Sequence, residues 1–368
     1  MVFGLGKAAR MAATMPTLPR LQPQLQSWTS STLDAVVWAD LIGADVMPVM
    51  RPAAMAVPAV ARGRHLTVGA IAGLPLNALR GADILTPGPY WTQGSDGQVG
   101  TLTAEFCDRM GVEAQSTHSR MLWTVDDHIF YGESLWYVTD LSPAGDGRPW
   151  RMVRLPWESW DRVYIEQSFR YSFVSADGSE LDQSRCIYIP GPHEGILNFA
   201  QGTIRGATSL EQTAQDIARR PFRIELHQTT DIELTDTERK ALIAATRAAL
   251  ADNNGILFTN AAVETKTHPI DSKELLVEGR NASALDVARV LSMPAAMIDA
   301  TTVGASLEYA TLAGRNAQWI DYGLRLYMDA ITSRLSMDDV VPVGQRIAFD
   351  SSSLTTLNSP ASGPATTD

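Results

Sequence analysis

The sequence predicts an α+β chain built from more than one compact unit. Three observations carry that expectation. Residues 117–139 repeat apolar side chains at three- and four-residue spacing (Met121, Leu122, Val125, Ile129, Phe130, Leu135), the mark of a helix. A stretch rich in strand and turn residues follows over 150–189. Beyond it, residues 222–267 read as a small strand–helix–strand–strand block set between helices.

In chain order, residues 1–30 are rich in Met, Pro, Gln and Ser and read as an extended arm. Residues 51–79 are apolar and Ala-rich, which predicts a packed helix ending before the Leu74-Pro75 step. Residues 87–99 are loop-like, with Pro87, Gly88, Pro89, Gly94, Asp96 and Gly97. The strand candidates are 150–155, 163–167, 170–175 and 186–189, with Ala176-Asp177-Gly178-Ser179 as a hairpin turn. Residues 208–220 predict a helix stopped by Pro221, and 222–227 a short strand. Thr235 and Glu238 have the spacing of a capping box opening a helix over 236–251, which the turn Asp252-Asn253-Asn254-Gly255 closes. Residues 256–259 and 263–267 are strands. Helix returns from Ser272 to about Leu291 and breaks at Pro294. Residues 307–335 predict a last helix of roughly 28 residues, about 42 Å long at 1.5 Å per residue. Residues 351–368, rich in Ser, Thr, Pro and Ala, read as a disordered tail.

The 368 residues are 45% hydrophobic and 19% charged, which suits folded units with their own cores. The net charge of −11 argues against a basic-faced protein that grips nucleic acid statically. It leaves room for one past which DNA must slide. Cys107 and Cys186 lack metal-type spacing and predict a reducing compartment without a disulfide scaffold. Lys7 and Arg10 are not followed by a signal-peptide core. The most apolar run, 53–79, is interrupted by Pro58, Arg62, Arg64, His65 and Pro75, so no membrane span is expected.

Enzyme chemistry finds little support. Asp126-Asp127-His128 looks like a metal cluster, but neighbours on a helix diverge by about 100°. Position 132, where a second His would converge, is Gly. The run therefore predicts polar residues on the outer face of an amphipathic helix, or interface contacts. His193-Glu194 follows Pro190-Gly191-Pro192 and reads as a turn beside a strand rather than a catalytic pair. No Gly-x-Ser-x-Gly elbow or phosphate loop appears, and no cofactor or metal is expected. Trp136, Trp150, Trp157 and Trp160 suit core packing more than an aromatic platform. Arg219, Arg220 and Arg223 form one compact basic patch around Pro221. They either cap a helix C-terminus or face a negatively charged partner.

Four segments carry a resemblance. They are Phe130-Tyr131-Gly132-Glu133-Ser134-Leu135-Trp136-Tyr137-Val138, Gly206-Ala207-Thr208-Ser209-Leu210-Glu211, Leu234-Thr235-Asp236-Thr237-Glu238-Arg239 and Ala284-Leu285-Asp286-Val287-Ala288-Arg289-Val290-Leu291-Ser292-Met293-Pro294. In this order they resemble the portal proteins of tailed bacteriophages, the head–tail connectors typical of long non-contractile tails. The last segment is similar to a signature that closes the second stem helix, with Ser292-Met293 in place of the usual Gly-Val and Leu291 in place of an aromatic residue.

The resemblance implies a portal-type subunit: an N-terminal arm (1–30), a mixed α/β wing (31–206), a stem helix (207–220), a small α/β clip (221–270) and a second stem helix (271–298). A tunnel loop (299–306), a long wing helix with a reduced crown (307–350) and the tail (351–368) complete it. It implies a non-enzymatic homo-oligomer, a twelve-subunit ring at one capsid vertex of the virion, assembled in the host cytoplasm. Double-stranded DNA would pass through the channel. The implied partners are the major capsid protein, the head–tail adaptor and the terminase, with no membrane.

The implied DNA-contacting loop, Thr301, Thr302, Val303, Gly304, Ala305 and Ser306, is small and uncharged and suits contact without ion pairing. The implied clip and partner-docking residues are Arg219, Arg220 and Arg223. The apolar residues Leu275, Leu276, Val287 and Leu291 predict stem helices that need ring neighbours to cover them. The competing expectations are another head–tail structural protein, such as an adaptor or minor capsid protein, and a hydrolase using His128 or His193.

Overall fold

The computed structural model describes residues 48–93, 100–165, 170–219, 222–229, 235–252, 263–269, 273–298, 317–352 and 354. The chain divides into two units, Met1–Thr208 with Asn281–Asp368, and Ser209–Arg280.

In the first unit, Pro52 and Pro58 start two successive helices, α1 (Arg51–Met55) and α2 (Pro58–Ala72). Proline suits a first helical turn, where its missing N–H has no intrahelical partner to lose. The single helix expected here is therefore two, and β1 (Leu76–Arg80) occupies the end of the apolar run. β1 is the middle of an antiparallel sheet, between β2 (Asp83–Ile84) and a late strand, Gln345–Phe349.

α3 (Ala104–Met110) and α4 (Thr117–Phe130) begin at Thr103 and Ser116, whose hydroxyls accept from the N–H groups of Phe106 and Ser119. The helix expected through Thr139 stops at Phe130. Gly132 turns the chain at φ 77°, a left-handed conformation that suits glycine. A Cβ there would lie 2.4 Å from the carbonyl oxygen of His193. β3 (Glu133–Leu141) follows, paired antiparallel with β4 (Pro149–Leu155) and with Cys186–Pro190. From Ser134 to Thr139 every residue of β3 is buried, so the strand lacks the alternation that marks a half-buried one.

β5 (Trp160–Ile165) and β6 (Arg170–Ser175) form a separate hairpin. Gly178 then reverses the chain at φ 87°, and the returning residues form only a bridge, Val174 to Glu180. β7 (Cys186–Pro190) completes the β4–β3–β7 sheet. Trp136, Trp157 and Trp160 are fully buried, and Trp150 stacks on Tyr90 with ring centroids 4.8 Å apart, in line with the packing role expected of all four.

After α5 (Ile196–Phe199), helix α6 runs Gln201–Arg219, starting well before the expected Thr208. Gly202 and Gly206 face open space, and buried Ile204 and Ala207 tie that stretch to the core. α6 begins in the first unit and ends in the second.

Within the second unit, β8 (Phe222–Gln228) pairs antiparallel with β9 (Val263–Pro269), and α7 (Asp236–Asp252) lies between them in sequence. The capping box is present: the Thr235 hydroxyl accepts from Glu238 N–H, and the Glu238 carboxylate accepts from Thr235 N–H at 2.9 Å. The strand expected at 256–259 lies outside the described residues. α8 (Lys273–Val290) leaves this unit at Arg280, whose guanidinium donates to Glu211 of α6 at 2.9 Å. Gly279 lies under the Leu210 side chain at the same level.

Back in the first unit, the last helix is described from residue 317. It passes through a π-helical turn, Ile320–Leu324, into α9 (Arg325–Leu335), and β10 (Gln345–Phe349) follows. The part expected at 307–316 lies outside the described residues. Val287 and Leu291, expected to wait for ring neighbours, are 1% and 2% exposed in the core of their own chain. Leu291 packs instead against α2 at Gly63.

Candidate functional site

Helix α4 changes character along its length. Trp123 is 40% exposed, whereas every residue from Thr124 to Phe130 is buried. Asp126-Asp127-His128 is therefore interior, not the outer polar face expected. A buried carboxylate persists only with close cations or donors. Asp126 has two. Arg51 of α1 donates through Nε and Nη2 at 2.9 and 3.0 Å, and Arg64 of α2 through Nε at 2.6 Å. Asp127 accepts from Arg154 of β4 in a two-pronged pair, with Nε at 2.8 Å, and from the Ser134 hydroxyl at 2.8 Å. Burial pushes the Asp127 carboxyl up to about 6, against the pull of Arg154 and Ser134.

Nε2 of His128 donates to the Ile189 carbonyl at 3.1 Å, and burial lowers its pKa to about 4, so the ring is neutral at physiological pH. Each member of the run thus turns to a different element, which is the divergence that helical geometry demands. Arg120, also buried, donates to the Trp91 and Met152 carbonyls and packs over Trp136. These arginines join α1, α2, β4 and the loop before α3 to one helix. The sequence signal for the centre was two adjacent aspartates inside an otherwise apolar stretch.

His193 is a turn residue, as expected. Its Nδ1 accepts from Gly195 N–H and its Nε2 donates to the Tyr327 hydroxyl, both at 3.0 Å. No nucleophile–base pair is formed by either histidine. Among the described residues no group of three or more His, Cys, Asp or Glu is placed to hold a metal ion, and no helix is long and apolar enough to cross a membrane.

The segment Ala284–Pro294 closes α8 with a left-handed stop. Ser292 N–H bonds to Arg289 O at 3.2 Å and Met293 N–H to Ala288 O at 3.0 Å, with Ser292 at φ 52°. Serine holds a conformation that glycine adopts without strain. Leu291 and Met293 turn under α2 at Gly63, where an added Cβ would lie 2.3 Å from Leu291 Cδ1 and 3.0 Å from Met293 Sδ. From the other side the π turn brings Gly323 against the Ser292 carbonyl. Sequence reading found the stop but missed both glycines, whose signal was glycine inside a helix. The stop precedes the segment expected to enter the tunnel. Thr301, Thr302, Val303, Gly304, Ala305 and Ser306 lie outside the described residues. Arg219 closes α6, Arg223 lies on β8 opposite His268, and Arg220 is outside the described residues.

Comparison with known proteins adds identity to this geometry. The family model "Phage portal protein" matches residues 58–362. A crystal structure of an HK97 family phage portal protein from Corynebacterium diphtheriae aligns with a TM-score of 0.65 at 27% identity, covering 84% of this chain and 98% of that one. The neck of an empty gene transfer agent particle aligns at 0.52 and 14% identity, covering 85% and 88%. The virion of a native gene transfer agent particle gives 0.52 and 14%, covering 86% and 88%. At that identity these two show the fold alone. No curated protein matches the chain. A family match over most of the sequence, on a fold shared with a solved portal, leaves one assignment: the chain belongs to the phage portal proteins, which are structural proteins and not enzymes.

Proposed function

We propose that the chain assembles into a ring, twelvefold in the family's pattern, at one capsid vertex, and that double-stranded DNA passes through its channel during packaging and ejection. The observation that carries this reading is the insertion of the small unit Ser209–Arg280 between two helices of the larger one. A wing (31–206), stem helices (207–220 and 271–298), a clip (221–270), a tunnel loop (299–306) and a long wing helix (307–350) fit that order. The fold likeness to particle necks supports a place in the virion. In this reading Arg219, Arg220 and Arg223 stand where the clip meets the terminase or the head–tail adaptor. Thr301 to Ser306 form the constriction, whose lack of charge lets phosphates pass without a salt-dependent grip. The major capsid protein surrounds the wing. Negative-stain images of the purified protein test the reading. Rings with an axial hole are the expected result; compact single particles at every concentration overturn it.

A further inference from the structure

His193 stands where three segments of the first unit meet. Its own turn is interlocked with the start of β3. Gly191 N–H donates to the Gly132 carbonyl at 2.8 Å, and a Cβ on Gly195 would lie 2.4 Å from the Phe130 carbonyl oxygen. On the other side is the last helix. Tyr327 of α9 is 2% exposed, and His193 is the only hydrogen-bond partner of its hydroxyl among the described residues. The imidazole packs edge-on against Tyr327 and Phe199, with centroids 5.7 and 5.2 Å apart.

Both imidazole nitrogens are committed, in opposite senses. Nε2 donates to Tyr327, while Nδ1 must keep its lone pair because Gly195 N–H points at it from 3.0 Å. A second imidazole proton would set one N–H against another. The neutral form fits this site and the cation does not. Burial, above all, holds the His193 pKa below the ordinary 6.5, against the pull of Glu194 in the same turn. The other titratable groups facing it are His128 of α4, a second cation if protonated, and Tyr327 of α9; α5 brings the apolar Phe199.

We propose that His193 is a proton-sensitive latch on the last helix: neutral, it ties Tyr327 to the 191–195 turn; protonated, it leaves its site and releases both. The released imidazole binds its proton with ordinary affinity and the latched one with less. The latch is therefore closed above pH 6.5 and gives way as pH falls below it. About one turn earlier in the same helix Gly323 meets the Ser292 carbonyl, so release at Tyr327 loosens the seat of the α8 stop. The latch lies within the first unit and does not depend on subunit assembly, so it stands or falls apart from the proposed function.

Hydrogen exchange on the full chain, read as protection factors from pH 7 to pH 5, tests it. Protection of the Gly195 amide and of amides 327–331 is expected to fall by about tenfold over that range, while β3 amides keep theirs. His193→Asn keeps an acceptor for Gly195 N–H but does not titrate, and is expected to make protection independent of pH. Glu194→Gln removes an exposed anion that favours the cation, so the fall is expected to move to lower pH. His128→Gln is expected to leave the fall in place. Three results overturn the proposal: protection in the wild type that does not change with pH, a fall that persists in His193→Asn, or a fall that His128→Gln abolishes. If His193→Asn costs β3 its protection, Glu194→Gln decides alone, and an unmoved midpoint overturns the latch.

Discussion

A Cβ on Gly323 would lie 2.6 Å from the carbonyl oxygen of Ser292. Backbone thus meets backbone where the last helix crosses the end of α8. An α-helix with one extra residue in a turn accommodates that approach, and the π turn Ile320–Leu324 sits there. Each residue explains the other: Ser292 is held at φ 52° because its carbonyl packs on a glycine, and Gly323 has no side chain because that carbonyl is there.

Gly323→Ala is expected to destabilise the first unit by about 1–3 kcal/mol, since neither backbone can give way cheaply. Ser292→Gly is expected to raise stability slightly, by at most ~1 kcal/mol, because it removes left-handed strain from an exposed serine. Denaturant midpoints at unchanged slope measure both. Equal and negligible shifts would remove the close-approach explanation.

The two arginine pairs of α4 should differ sharply. Arg154→Met leaves the Asp127 carboxylate buried without its cation and is expected to cost about 3–5 kcal/mol near pH 7. Without Arg154 the carboxyl, already raised to about 6 by burial, rises further, and protonation then relieves the unpaired charge. The loss should therefore shrink as pH falls toward 5. Arg51→Ala leaves Asp126 still paired with Arg64, and Arg51 is 25% exposed, so a loss of about 1 kcal/mol is expected. Urea melts at two pH values separate the cases.

His128 gives a slope of opposite sign to Asp127. Its folded pKa, about 4, lies below the ordinary 6.5, so between these values the unfolded chain binds the proton and the folded chain does not. Its contribution is intact above pH 6.5 and declines as pH falls toward 4. The raised Asp127 carboxyl acts the other way below pH 6, because there the folded state binds the proton first. The wild type should show a shallow net dependence. His128→Gln keeps a donor for the Ile189 carbonyl but does not titrate. The destabilisation it causes at pH 7 should shrink by about 2 kcal/mol at pH 5. A difference that is constant with pH would contradict a neutral buried imidazole.

For the proposed tunnel loop, Thr302→Arg with Ser306→Arg places cations where DNA passes. Packaging or ejection is expected to slow, and more at low salt than at high, because added phosphate contacts are salt-dependent. DNA translocation assays over a salt series measure it. Unchanged rates would place the constriction elsewhere.

Local chemistry was legible in the sequence. The Thr235–Glu238 capping box and the turn at Gly178 are decided within a few residues and were readable as such. Elements whose identity rests on distant partners were not. Residues 117–139 show one continuous apolar rhythm, yet they are a helix and then a strand. β3 is buried on both faces, which erases the alternation, and Gly132 breaks the rhythm only because the 193–195 turn approaches it.

The sequence by itself determined the class of the fold, the strand–helix–strand order of β8, α7 and β9, and the absence of catalytic motifs. Only the tertiary structure decided that Asp126 and Asp127 are interior. Their arginines come from positions 51, 64 and 154, and no spacing along the chain shows which of two charged residues will meet. It likewise decided why Gly63 and Gly323 are glycines. A residue's lack of a side chain is explained by what occupies that space, and Leu291 and Ser292 arrive there from elsewhere in the chain.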